Sequence, residues 1–366
     1  MSFLLFVFIG CVIIQIAYQW ILTLAIYLLK QKTSAQKPTT SVSIIICARN
    51  ERENLVKHLP SILNQDYENF EVIIVDDGSD IPFTYSNNQL QIIYIDKKEK
   101  IGIGKKYALQ KGIAAAKNDW ILLTDADCQP LSSHWISSMM QATKQNTSIV
   151  LGISPYQYER TFLNGFIEYE TTLTALQYIG FAILKNPYMC VGRNVLYPTA
   201  LVQQKKWTNA ELAVASGDDD LMIQSIANSD NTVVCLQPNS YTKSAAKSTW
   251  KAYIQQKLRH YESGNLYKIS HRLMLGLFLL SKLMLYISLM AVCIQTIVSP
   301  LLSQVYLMLF FSGIYVVSLL CSNYLIHQKL KINKRYYFSF LYDMLFFIFI
   351  SIFGCISLFK PTKNWK

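Results

Sequence analysis

Two carboxylates one residue apart close the apolar run Ile121-Leu122-Leu123-Thr124-Asp125-Ala126-Asp127. A buried strand opening into such a turn can present both acids to one divalent ion. Hard oxygen donors suit Mg²⁺ or Mn²⁺, ions usually shared with substrate phosphates. A lone D-x-D is most often a pair of solvated acids, so its meaning depends on its neighbours. A second acidic cluster, Gly217-Asp218-Asp219-Asp220-Leu221, opens a helical pattern with Leu221, Met222 and Ile226 on one apolar side. Acids in a first helical turn offset the macrodipole, but three in succession exceed that need. Their repulsion should raise the pKa of one member, which makes it a candidate general base.

Two more polar motifs, Ala48-Arg49-Asn50-Glu51 and Asp76-Asp77-Gly78-Ser79-Asp80, also follow apolar runs. Taken singly, the second is an ordinary turn whose geometry Asp and Gly supply. Ile101-Gly102-Ile103-Gly104-Lys105-Lys106 has the glycine spacing of neither a P-loop nor a dinucleotide fingerprint. Lys97, Lys98 and Lys100 before it predict a mobile cationic loop, and Lys105 at a helix start could approach a phosphate.

The elements that must position these groups are legible as periodicities. Residues 42–47, 71–75, 90–95 and 120–124 are apolar runs rich in β-branched side chains and predict strands. Residues 54–63, with Leu55, Leu59 and Ile62 on one face, and residues 105–116 predict helices. Strands alternating with helices imply an α/β class with a mostly parallel sheet covered on both faces. Ligands bind such sheets beyond the carboxyl ends of the strands. Three of the polar motifs sit at those ends.

The chain has 366 residues, a net charge of +11 and an uneven distribution of charge. Residues 3–29 carry none and exceed the ~20 needed to cross hydrocarbon. They lack the basic start and cleavage site of a signal peptide, so an anchor is expected. Residues 273–298, 301–326 and 338–359 are three further apolar segments, interrupted by Lys282 and Asp343. Lys282 is close enough to one end to snorkel, whereas Asp343 should face protein or the interface, since lipid exposure costs a few kcal/mol. The expected organisation is an anchor at 1–30, a linker at 31–40, a catalytic domain at 41–245, basic interfacial helices at 246–272 and a membrane region at 273–366.

Lys30, Lys32 and Lys37 after the first segment, and Lys329, Lys331, Lys334 and Arg335 between the last two, place the central domain in the cytoplasm by the positive-inside rule. A hairpin at Ser299-Pro300 joins two spans, and the basic tail at Lys360, Lys363 and Lys366 leaves the last segment either re-entrant, interfacial or an exception to that rule. Basic residues between 243 and 272, interleaved with Trp250, Tyr253, Tyr261 and Tyr267, suit a helix on anionic headgroups rather than a nucleic-acid surface. Eight scattered cysteines without a C-x-x-C pair argue against a disulfide framework or zinc site.

In order and spacing these motifs resemble glycosyltransferase family 2, whose members have the GT-A fold, over about residues 41–264. Ser43 to Glu51 resembles the opening strand and its N-E step, and Asp76-Asp77-Gly78-Ser79 the nucleotide-contacting D-D-x-S turn. Gly104-Lys105 and Ala108-Leu109 resemble the G-K-x-x-A-L helix start, and Asp125 with Asp127 the metal-binding D-x-D. Gly192-Arg193-Asn194 resembles the G-x-N acceptor-side loop, while Asp218-Asp219 stands where the Glu-Asp pair carries the catalytic base. Gln256-Lys257-Leu258-Arg259-His260 resembles Q-x-x-R-W, with His260 in place of tryptophan.

The resemblance implies a nucleotide, uracil first, near Ala48, Arg49 and Glu51 with Asp77 on its edge, Asp76 and Lys105 beside it. It implies Mn²⁺ or Mg²⁺ on Asp127 and Asp125 and a base at Asp219, with Asp218 as the alternative. Arg259 would serve the diphosphate and Gln256 the acceptor side. Imidazole is a smaller stacking platform than indole, and the spans are few for a polymer channel, so a single transfer to a lipid-linked or saccharide acceptor is expected over processive synthesis. A silent envelope-assembly binding protein is the reading from another class, and a nucleotidyltransferase would share the metal logic but release pyrophosphate.

Overall fold

The computed structural model describes residues 2–31, 38–100, 104–143, 149–298, 301–332 and 335–359. Ile101, Gly102, Ile103, Lys32, Lys37, Lys334, the Ser299-Pro300 hairpin and the tail from Lys360 lie outside the described residues. In chain order come helix α1 (Phe3–Leu28), strand β1 (Val42–Ala48), α2 (Arg52–Leu63), β2 (Phe70–Asp76), β3 (Leu90–Tyr94), α3 (Lys106–Ala115), β4 (Trp120–Asp125) and β5 (Cys128–Pro130). Next are α4 (Trp135–Gln141), β6 (Ile149–Leu151), α5 (Phe162–Ile183), β7 (Val195–Pro198), α6 (Thr199–Gln203), α7 (Asn209–Leu212), α8 (Asp220–Ile226), β8 (Thr232–Val234) and β9 (Thr242–Ser244). Four helices finish the chain: α9 (Trp250–Ser263), α10 (Ile269–Val298), α11 (Leu302–Leu330) and α12 (Ser339–Phe359).

Seven strands form one sheet in the order β3-β2-β1-β4-β7-β6-β8, and β5 pairs with β9 apart from it. The first four of that order run parallel, while β7 is antiparallel to β4 and β6. Strand periodicity divides the side chains between two layers. Ile45, Cys47, Ile73, Val75, Ile121 and Leu123 face α3 and α5. Val42, Ile44, Ile46, Val72, Ile74 and Leu122 face α2 and α4. Because both faces are covered, these strands read as continuous apolar runs rather than alternating ones. The register aligns Ala48 with Asp76 and Cys47 with Asp125, so three polar motifs leave the sheet at one edge.

Three described helices, α1, α10 and α11, are long and apolar enough to cross a membrane. The α/β domain and these long apolar helices share one core: Leu22 and Ile26 of α1, and Ile326 and Leu330 of α11, pack with Leu176 and Ile179 of α5 under the sheet. Gly180 permits this approach, since a Cβ there would stand 2.9 Å from Leu22 Cβ. Gln15 reaches Ser281 at 2.8 Å, Trp20 reaches Ser318 at 2.7 Å, and Thr23 and Ser322 meet at 2.7 Å, which ties α1 to α10 and α11.

The expected snorkelling of Lys282 does not occur. Its ammonium is buried against the Asp343 carboxylate, which also accepts hydrogen bonds from Tyr169 (2.5 Å), Tyr286 (2.6 Å) and Tyr315 (2.7 Å). Asp343 therefore faces protein, and four donors compensate its transfer from water. The basic stretch also differs from a headgroup helix on its aromatic side. Tyr253 is buried against Phe166 and Phe349, and Tyr267 turns to Asp220.

Candidate active site

A cavity of ≈ 650 Å³ opens beyond the strand ends. Arg49, Glu51, Lys105, Asp125, Asp127, Gly192, Arg193, Asp218, Asp219, Gln256, Arg259 and His260 all line it. Local chemistry sets each of them in place.

The first two strand ends clasp each other. Asn50 adopts a left-handed φ of 56°, a conformation that asparagine tolerates better than most residues. Its amide donates to Ser79 Oγ at 2.8 Å and its side chain bonds Asp80 in both directions, at 2.8 and 3.0 Å. Asp76 accepts from the Ser79 and Phe83 amides at 2.9 and 3.0 Å, so it organises the turn and does not line the cavity. Ala48 likewise serves through backbone, accepting the Asp77 amide at 2.7 Å. Asp77 Oδ2 holds Lys100, while its Oδ1 is buried without a hydrogen-bond partner among the described residues. Burial raises the Asp77 pKa, against the pull of Lys100. The loop expected to be mobile is thus fastened at two points, since Lys97 also pairs with Asp80 at 2.7 Å.

Lys105 stands at the centre. Its ammonium lies 2.6 Å from Asp125 Oδ1 and 3.4 Å from Asp218 Oδ2. Burial opposes the charge, but the two carboxylates hold Lys105 protonated well above its ordinary range. Asp125 and Asp127 present ligand atoms within 4.8 Å of each other and of Cys128 Sγ. Burial, then Asp125, raises the pKa of Asp127. Close oxygens whose mutual charge is unfavourable fit a hard divalent cation, which would relieve that repulsion.

The three successive acids separate in character. Burial favours the neutral form of Asp218, yet Lys105 and Lys106 override it and lower the pKa. Burial and the Asp218 charge push Asp219 up to about 6. Asp220 is raised further by burial and Asp219, and it accepts from Tyr267 at 2.6 Å. Asp219 receives the Gly192 amide at 2.6 Å, which aims it into the cavity beside Arg193.

Arg193 is fixed by Ser244 at 2.6 Å and the Ser154 carbonyl at 3.1 Å, with its guanidinium 4.4 Å from the Tyr156 ring centre. Sequence spacing could not have found Ser154, Tyr156 or Ser244, which arrive from separate segments. Asn194 is not brought to the acceptor side. Its side chain is buried, donating to the Ile153 and Ser240 carbonyls at 2.8 and 2.7 Å and accepting from Trp135 at 3.0 Å. The N of the G-x-N loop is here a bolt between β6, β7 and α4.

Helix α9 supplies the far wall. Lys257 pairs with Glu170 of α5 at 2.7 Å, and Tyr253 donates to the same carboxylate. His260 presents its ring to the cavity; the surrounding protein, then Lys257 and Arg259, lower its pKa and keep it neutral. Leu330, Lys331 and Ile332, at the end of α11, complete the lining, so a helix long and apolar enough to cross a membrane borders the site.

Residues 43–204 match Glycosyl transferase family 2, and the chain carries a domain of that family. It is 31% identical over 154 residues to a glycosyltransferase of Haemophilus influenzae, covering 40% of this chain and 44% of that one. It is 29% identical to the 4,4'-diaponeurosporenoate glycosyltransferase of Staphylococcus haemolyticus, over 36% of each chain. Similarity to the poly-beta-1,6-N-acetyl-D-glucosamine synthase of Staphylococcus epidermidis is 31% over 26% of this chain and 23% of the other. The chain spans less than half the length of these relatives. Its fold is similar over 96% of its length to 99% of the mannosyltransferase PcManGT of Pyrobaculum calidifontis, solved with GDP-Man and Mn²⁺, with a TM-score of 0.58 at 13% identity. That likeness supports a GT-A fold for the α/β domain.

Proposed function

We propose that this protein is a membrane-anchored, metal-dependent inverting glycosyltransferase. It moves one sugar from a nucleotide donor, of the uridine type, to a lipid-linked or saccharide acceptor. The observation that carries this reading is the meeting of Asp125/Asp127 and Asp218/Asp219 on one cavity, with Lys105 between them. One acid pair suits a diphosphate and its cation, the other suits proton removal.

Bound Mg²⁺ or Mn²⁺, held by Asp125 and Asp127, supplies charge neutralisation for the leaving diphosphate. Asp77 Oδ1, without a partner among the described residues, accepts an N–H from the nucleotide base, while Arg49 and Glu51 line the cavity. Asp219, ionised above its raised pKa, takes the proton of an acceptor hydroxyl. The acceptor oxygen attacks the anomeric carbon from the face opposite the phosphate, and the sugar–phosphate bond breaks to release nucleoside diphosphate. Arg193 and Arg259 steady the charge that develops on the diphosphate side.

The membrane setting follows from the same side of the molecule. Lys329 donates to the Tyr27 and Leu29 carbonyls at 2.9 and 2.7 Å, so the ends of α1 and α11 converge near the catalytic domain with Lys30 and Arg335. By the positive-inside rule that side is cytoplasmic, in a cell (inner) membrane. Leu330 to Ile332 on the cavity wall bring the acceptor site close to lipid, which favours a membrane-borne acceptor.

The test is nucleoside diphosphate release by detergent-purified protein across a panel of sugar donors with Mn²⁺ or Mg²⁺, then with membrane lipid extract as acceptor. Release from one donor, abolished by chelator, is the expected result. No release and no donor binding with extract present would overturn the reading in favour of a binding protein. Similarity to a polysaccharide synthase keeps processive synthesis as the second reading; a product ladder in place of one added sugar would select it.

A further inference from the structure

The neighbour of Lys105 has entered so far only through its charge, which helps to hold Asp218 ionised. Lys106 is 1% exposed. Its hydrogen-bond partners are two backbone carbonyls, Val214 at 2.8 Å and Ser216 at 2.5 Å, and it forms no ion pair among the described residues. The Trp207 ring centre lies 5.9 Å from the same ammonium. Burying an ammonium without a salt-bridged carboxylate is costly, and an aliphatic side chain of the same length would fill that volume more cheaply.

The segment it grips explains the cost. Residues 214–217 lead straight into the three acids. Gly104, at φ +81°, lies under this segment so closely that a Cβ would stand 2.2 Å from the Ala215 carbonyl. Ser216 donates its hydroxyl to the Arg259 carbonyl of α9. Gly217, at φ +80°, sits against Ser263, where a Cβ would come within 2.5 Å of the serine Cβ. The stretch of chain before Asp218 is thus held between the start of α3 on the donor side and α9 on the acceptor side. Lys106 is the polar peg of that clamp.

We propose that Lys106 is a positioning residue for the Asp218–Asp219 pair. By holding the 214 and 216 carbonyls it sets the register in which Asp218 meets Lys105 and Asp219 meets the Gly192 amide. The two consecutive lysines then have complementary roles. Lys105 contacts the carboxylates, and Lys106 holds the chain that carries them. The structural part stands on geometry alone, whereas its catalytic consequence rests on the glycosyltransferase reading.

The experiment compares wild type, Lys106→Met and Lys106→Arg as full-length proteins in detergent. Hydrogen exchange is measured first, because it needs no turnover. Lys106→Met should speed exchange at least tenfold across residues 214–220 and leave β1 and β2 unchanged. Lys106→Arg, which keeps donors for both carbonyls, should restore most of the protection. On the donor that wild type uses, Lys106→Met should lower kcat roughly a hundredfold, the cost of an ångström-scale misplacement, with the donor KM within threefold. Unchanged exchange at 214–220 in Lys106→Met overturns the proposal whatever the activity. So does a kcat loss that Lys106→Arg shares in full, or one matched by an equal rise in KM. If Lys106→Met does not fold, Lys106→Arg decides alone: wild-type exchange and at least a tenth of wild-type kcat support the peg, and loss of either refutes it. A wild type that neither releases nucleoside diphosphate nor binds any donor with lipid extract present would sink the glycosyltransferase reading, leaving the exchange result to judge the clamp.

Discussion

The backbone amide of Gly192 donates to the carboxylate of Asp219 at 2.6 Å, joining the turn before β7 to the start of α8. A Cβ on Gly192 would lie 2.9 Å from Asp219 Oδ2 and 3.1 Å from its Cβ. Gly192→Ala should therefore displace the proposed base without touching the donor side. The expected result is a fall in kcat of about 10–100-fold, with nucleotide affinity by calorimetry unchanged.

Asp219 should set the acid limb of the rate profile. Its pKa of about 6 means that kcat/KM rises with pH, about tenfold per unit below that value, and levels above it. Asp218 and Asp220 flank the group, with Lys105 and Lys106 facing it. Since burial and then the Asp218 charge raise this pKa, Asp218→Asn should move the midpoint to lower pH. Asp219→Asn should remove the limb and about 10²–10⁴ of the rate. A midpoint that stays put in Asp218→Asn would place the titrating group elsewhere.

Asp127→Ala should weaken Mn²⁺ binding by more than the roughly 10–100-fold that loss of an outer hydrogen-bond partner costs a metal site. Calorimetric titration of the ion in the presence of a nonreactive nucleotide measures this. Asp76→Ala should instead lower thermal stability, because the Ser79 and Phe83 amides lose their acceptor.

Asn194→Ala is expected to behave as a core mutation. It strips partners from Trp135 Nε1 and the Ser240 carbonyl, at about 1–3 kcal/mol for each buried group left unsatisfied, and leaves the Ile153 carbonyl with the Thr242 amide at 3.4 Å. Chemical denaturation should report that loss. A folded variant of wild-type stability with altered acceptor preference would return Asn194 to the acceptor side.

Within the helical bundle, Asp343→Leu leaves the Lys282 ammonium buried without its carboxylate and should destabilise by about 3–5 kcal/mol. The double variant Lys282→Met with Asp343→Leu should recover much of this, as read by thermal unfolding in detergent. Because Tyr169 of α5 shares the Asp343 carboxylate, the single variant should also lower turnover, α5 being part of the cavity wall through Thr171, Thr172 and Ala175.

Local order along the chain was sufficient for the parallel half of the sheet. The runs at 42–47, 71–75, 90–95 and 120–124 are β1 to β4 within a residue or two. β1, β2 and β4 are buried on both faces and leave an unbroken apolar signal, while β3 is a half-exposed edge strand. The short strands β5 to β9 carry at most four residues each and gave no such signal, being paired to distant partners. The carboxylates of the cavity were also legible, because their spacing survives in one dimension.

What tertiary structure alone decided is which polar side chains face the cavity and which serve the scaffold. Asp76 and Asp77 are adjacent and neither lines the cavity, yet one organises a turn while the other holds Lys100 and keeps an oxygen with no partner among the described residues. Lys282 and Asp343 both interrupt apolar segments 61 residues apart, and only helix packing makes them partners. The peg at Lys106 and the anchors of Arg193 likewise come from contacts between separate segments. Periodicity records how often a side chain returns to one face of its own element. It holds no record of the neighbour that face will meet, so residue types and element order were determined locally, while pairing, protonation and aim were set by packing.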